Sequence, residues 1–143
     1  MKKITILLML VISFTTFSQT INIKKLVKET YFEVNEAITD LDTVVYYYFS
    51  FQNKKYTHVA DLGAILIREK SQIETLSKKL KEFSETKDKQ NVDYICSRYT
   101  LSLYDFSDDI YLSDKEGKFT RFSKEEALKL SNDLLKHMHY LKM

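Results

Sequence analysis

Side chains able to do chemistry are plentiful in this chain, so their spacing decides what they can do. The histidines are His58, His137 and His139. His137 and His139 stand two apart, which on a helix turns them about 200° from each other and off any common face. Neither a His-Glu-x-x-His nor a Cys-x-x-Cys pattern accompanies them, so no metal is expected. They read as solvated histidines near a C-terminus, where positive charge is favoured. The acids Asp105, Asp108, Asp109, Asp114 and Glu116 lie close in sequence. They lack the alternating carboxylates and internal glycine of a calcium loop and read as solvated acids around a hairpin. No serine sits on a glycine-flanked elbow, and the isolated Gly63 and Gly117 cannot form a phosphate-cradling loop. Cys96 stands alone and can make no intramolecular disulfide; its neighbours Tyr94, Ile95 and Tyr99 suggest a strand and a buried thiol, with only Arg98 nearby to lower its pKa. On these grounds no catalytic, metal or cofactor-binding residue is assigned.

Aromatic residues give a more specific signal. Along Thr43–Phe51, Val45, Tyr47, Phe49 and Phe51 point one way, and Val44, Tyr46, Tyr48 and Ser50 the other. Both faces are bulky, so the strand is either covered on both sides or presents a tyrosine platform. In the second case Tyr46 and Tyr48, joined by Tyr56 from a returning strand over 56–59, would bind a partner protein or a glycan. Tyrosine combines an apolar ring with a polar tip and suits such contacts.

These side chains must be positioned by elements that the apolar periodicity outlines. Leu26, Val27, Tyr31, Val34, Ile38 and Leu41 recur at helical spacing, predicting an amphipathic N-terminal helix over 23–41. A strand over 43–51 follows, then a turn at 52–55, the returning strand, a break at 61–63 and a further strand from Ala64. Ser71-Gln72-Ile73-Glu74 has the form of a capping box, and Ile73, Leu76, Leu80 and Phe83 continue a helix to Ser84. The charged stretch 85–91 reads as a loop between halves. Strands follow over 95–103, 110–112 and 118–122, the last two flanking the turn Asp114-Lys115-Glu116-Gly117. Ser123-Lys124-Glu125-Glu126 forms a second capping box, with Phe122 and Ala127 placed as a hydrophobic staple. Ala127, Leu130, Leu134 and Met138 mark the inner stripe of the closing helix.

The halves, about 43–84 and 92–140, hint at internal duplication. A shift of 54 aligns Gly63 with Gly117, Ile73 with Ala127, Leu76 with Leu130 and Leu80 with Leu134, although the capping serines differ by 52. The fold expected is α+β: an antiparallel sheet from two hairpin-plus-helix halves, helices on one face, preceded by the N-terminal helix.

Lys2 and Lys3, the apolar run Ile4–Phe14 and the small residues Thr16 and Ser18 have the layout of a secretory signal peptide over 1–18. Its closing Phe17-Ser18-Gln19 resembles the leaders of small secreted proteins of Gram-negative bacteria. The apolar run is too short to span a bilayer, which takes about 20 residues, so membrane contact is expected only through the leader. One domain over 19–143 remains. Losing Lys2 and Lys3 leaves 20 basic against 20 acidic residues. A neutral, interspersed surface lacks the clustered basic face that nucleic acid requires. The expectation is a secreted or periplasmic, non-enzymatic module that binds a protein or cell-envelope ligand. The alternatives are a small envelope hydrolase and a purely structural accessory subunit.

Overall fold

Alternating apolar residues build two antiparallel meanders, and each meander runs into a helix. A computed structural model describes residues 20–56 and 60–141. The leader segment 1–18 and His58 lie outside the described residues. The first sheet comprises β1 (Asn22–Lys28), β2 (Glu33–Ile38), β3 (Thr43–Gln52) and β4 (Leu62–Ile67), in that order, followed by α1 (Lys70–Glu85). The second comprises β5 (Val92–Ile95), β6 (Thr100–Leu103), β7 (Ile110–Ser113) and β8 (Phe119–Phe122), followed by α2 (Lys124–Lys136) and a short 3₁₀ turn, Met138–Tyr140. The fold is α+β and repeats one plan twice.

Residues 23–41 are a β-hairpin and not the expected amphipathic helix. The apolar spacing there fits both forms, because a bulge between Lys25 and Val27 resets the strand alternation. The decisive residues are Phe32 and Val34, buried to 2% and 0% exposure, and Val34 pairs with Tyr47 of β3. A strand satisfies the β3 backbone and buries both side chains together. The first half therefore begins at β1, well before residue 43. The strand expected from Ala64 is β4, Leu62–Ile67, and it is the one that pairs with β3; Tyr56 lies between them outside any strand, and residues 57–59 of the expected returning strand lie outside the described residues. Gly63 sits inside β4 because the Phe51 ring lies over it. A Cβ there would stand 2.2 Å from Phe51 Cε2.

One core joins everything. The inner faces of the sheets contribute Val34, Tyr47, Phe49, Ile65 and Ile67 from the first, and Leu101, Leu103, Ile110, Leu112 and Phe122 from the second. The helices face them with Ile73, Leu76, Leu80 and Phe83 of α1 and Ala127, Leu130 and Leu134 of α2. The helices cross over: α1 approaches β6 and β7, while α2 is tied to the first sheet. Tyr47 Oη donates to the Leu134 carbonyl at 2.9 Å, satisfying an acceptor in the last turn of α2.

The duplication expected from the 54-residue shift is visible at the helix crossing. Ser77 and Ser131, 54 apart and each 2% exposed, face each other there. Ser77 Oγ lies 2.9 Å from the Ser131 carbonyl, Ser131 Oγ lies 2.8 Å from the Ser77 carbonyl, and the two hydroxyls are 2.8 Å apart. The helix starts obey the same shift, because α1 begins at Lys70 with Glu69 as N-cap and α2 at Lys124 with Ser123. Ser71 is thus inside α1 and caps nothing; its carbonyl accepts from Thr75 Oγ1. The capping box at Ser123 and Glu126 forms in full. Gly63 and Gly117 are not equivalent, since Gly117 is a turn residue at φ 79° while Gly63 is in a strand.

Candidate binding surface

Both helices lie against the inner faces of the sheets, which leaves the outer faces free of helices. On β3, Tyr47 and Phe49 are buried inward, whereas Tyr46 and Tyr48 lie half-buried on the opposite face. Their cross-strand neighbours on that face are Asn35 and Glu33 of β2, and Leu66 of β4 beside Tyr48. Asn35 is 5% exposed, and its Oδ1 has no hydrogen-bond partner among the described residues. Tyr56 is exposed in the β3–β4 loop with Lys55 Nζ 5.6 Å from its ring centroid. It does not come from a strand beside Tyr46 and Tyr48, so the expected three-tyrosine platform reduces to two.

The second sheet and its β6–β7 turn carry a longer aromatic row, outside the expected set. Ile110 and Leu112 point inward, which turns Tyr111 outward, in register with Ser102 of β6 and Arg121 of β8. Phe106 stacks on Tyr104 at 5.2 Å, Tyr104 meets Tyr111 edge-on at 5.0 Å, and Tyr111 meets Phe119 at 5.7 Å. Phe106 is 73% exposed and Ile95, at the end of β5, 75%. Polar groups border the row: Tyr111 Oη bonds Ser107 Oγ at 3.3 Å, and Arg121 Nε stands 3.7 Å from Asp109. The one local signal was the same-face pair Tyr104 and Phe106. Tyr111 and Phe119 join them only through strand register.

The titratable groups mostly hold the halves together. His137 is nearly buried, not solvated as expected, and its Nε2 lies 2.6 Å from Glu29 Oε1 in the β1–β2 turn. That hydrogen bond, helped by Lys136, holds the Glu29 carboxyl below its usual range despite partial desolvation. Burial first, then its bond to Glu126, pushes the Tyr31 hydroxyl up to about 12. Glu126 is held low by the Ser123 backbone N–H and by Tyr31. Cys96 is half-buried in the β5–β6 turn, where its N–H donates to the Tyr99 carbonyl at 2.8 Å.

Neither a protein-family model, nor a curated protein, nor a solved structure matches the chain.

Proposed function

We propose that the protein is an exported, non-enzymatic binding module that engages a protein or cell-envelope ligand through the uncovered faces of its sheets. The observation that supports this most is the contiguous row Phe106–Tyr104–Tyr111–Phe119, with Phe106 largely in solvent. Tyr46, Tyr48 and Leu66 give the first sheet a similar face. Tyr111 and Phe119 stand on strands and Tyr104 and Phe106 on the β6–β7 turn beside them, and stacked aromatic rings offer large contact area at low conformational cost. The bordering hydroxyls, carboxylates and Arg121 supply directional contacts.

The test compares surface and core variants of the purified protein, immobilised and exposed to native envelope extract. Tyr111→Ser with Phe106→Ser, and separately Tyr46→Ser with Tyr48→Ser, are expected to keep the fold. At least one pair is expected to lose a specifically retained component. Phe49→Ala, by contrast, is expected to destabilise by about 3–5 kcal/mol through a cavity. Retention unchanged by both surface pairs would refute this reading.

A further inference from the structure

Broken symmetry between the halves leaves one groove open. The β1–β2 and β5–β6 turns close alike, by Glu29 N–H to the Phe32 carbonyl at 2.9 Å and Cys96 N–H to the Tyr99 carbonyl at 2.8 Å. The third residue of the first turn, Tyr31, reaches the other half: its ring meets Phe122 edge-on at 5.0 Å and its hydroxyl donates to Glu126 at 2.7 Å. The third residue of the second turn is Arg98. It makes no hydrogen bond or ion pair among the described residues and lines a cavity of about 360 Å³ with Leu62, Leu66, the acids Asp114 and Glu116 and the lysines Lys115 and Lys118.

The strand edges differ in the same way. On β8, the Phe119 carbonyl accepts from Lys54 N–H at 2.9 Å, and its N–H donates to Asn53 Oδ1 at 3.3 Å, so main chain of the first half runs beside it. On β4, only side chains arrive: Ala64 N–H donates to Asp114 Oδ2 at 3.2 Å, and Lys118 Nζ donates to the Leu62 carbonyl at 3.2 Å. The Ala64 amide thus faces away from β3, and alternate residues of an antiparallel strand share that direction. Leu66 therefore presents its N–H and carbonyl to the same edge, where they and the Ala64 carbonyl have no partner among the described residues.

We infer that this groove takes an extended peptide segment of a partner protein, which pairs its main chain with the Leu66 end of β4, beyond the Asp114 and Lys118 contacts, and sets a carboxylate against Arg98. An open strand edge is a ready template for another strand, and the corresponding edge in the second half already holds main chain. Leu62 and Leu66, 60% and 38% exposed, supply apolar contacts for alternating side chains. The outer edge at β1 discourages such pairing through Lys24, Lys25, Lys28 and its bulge. Asp114 and Glu116 of the same cavity are engaged by the Ala64 amide and by Lys118, which leaves Arg98 to select an acidic residue. This inference rests on the reading of the protein as a binding module; it shares Leu66 with the first-sheet face and uses nothing of the Phe106–Tyr104–Tyr111–Phe119 row.

The experiment pans a linear twelve-residue peptide library against the full protein and maps the selected peptides by ¹⁵N–¹H spectra. Selected peptides are expected to carry an acidic residue within an alternating apolar pattern and to shift the Leu66 amide most. Arg98→Glu is expected to weaken their binding by about tenfold or more. Leu66→Pro, which removes an edge amide that β3 does not use, is expected to abolish it; Arg98→Glu carries the test if that variant misfolds. Tyr111→Ser is expected to leave peptide affinity unchanged, which separates this site from the proposed aromatic surface. The inference is overturned if no peptide is selected, if the shifts fall elsewhere, or if affinity is indifferent to Arg98→Glu. Concentration-dependent dimerisation abolished by the same substitutions would assign the edge to a second copy and equally overturn it.

Discussion

Ser77 and Ser131 allow the duplicated architecture to be probed at its axis. Each hydroxyl is within 2.9 Å of the opposite helix's carbonyl, and the two are 2.8 Å apart, in a site 2% exposed on both sides. Two protons serve three close contacts, so the bonds are shared. Ser77→Ala removes one donor, but Ser131 still donates to the Ser77 carbonyl. The expected cost is that of one buried neutral hydrogen bond, about 1 kcal/mol. Ser131→Ala should match it by symmetry. The double variant should cost less than the two singles together, by about 0.5–1 kcal/mol, because the hydroxyl–hydroxyl contact is lost in each single. Ser77→Val must instead force branched methyls between helices that meet at van der Waals distance, costing about 2–3 kcal/mol. Urea melts followed by far-UV circular dichroism give all four values from midpoints at a common slope. A Ser77→Val protein as stable as the parent, or strictly additive alanine variants, would mean that the helices do not cross at these serines.

Other expectations follow from caps and titrating groups. Ser123→Ala should cost about 1 kcal/mol, whereas Ser71→Ala should stay within about 0.5 kcal/mol, since only Ser123 caps a helix; equal losses in urea melts would refute the assigned helix starts. The carboxyls of Glu29 and Glu126 are both held low in the fold. Their stabilisation is present above about pH 4.3 and is lost as pH falls through their lowered folded values, so Glu29→Gln and Glu126→Gln should flatten the acid limb of the stability profile. Tyr31, raised to about 12, acts in the opposite range. Its contribution holds below the unfolded value of about 10 and is lost as pH rises through the folded one; an alkaline limb unchanged in Tyr31→Phe would contradict the raised value that burial and the bond to Glu126 together impose.

Much of the second half was legible because its local signals agree. The turn ending in Gly117, the Ser123 capping box and the stripe Ala127, Leu130, Leu134 each specify one conformation. The hairpin over 22–38 was not legible, because its turn contains neither glycine nor proline and its bulge shifts apolar residues onto an apparent helical period. At Ser71 the motif is present but the chain enters the helix two residues earlier, placing the serine in the first turn. The 54-residue repeat showed in the apolar stripes, yet its sharpest mark, Ser77 against Ser131, was not legible, because a serine adds nothing to the apolar periodicity that outlines a helix face. His137 was misjudged for a similar reason: its burial depends on Glu29, 108 residues away. On β3 the inward set was legible from alternation alone. Which outward aromatics assemble was not, because Tyr104, Tyr111 and Phe119 meet only through strand register.

Tyrosine footprinting most directly tests the claim that the outer sheet faces are the contact surface while the inner faces are core. In the isolated protein, mild nitration read by peptide mass spectrometry should modify Tyr46, Tyr48, Tyr104 and Tyr111. It should spare Tyr47 and Tyr99, which are 0% and 1% exposed. Repeated in native envelope extract, protection should appear at Tyr104 and Tyr111 or at Tyr46 and Tyr48. Nitration of Tyr47 at the rate of its neighbours, or an extract that protects neither pair, would contradict the account.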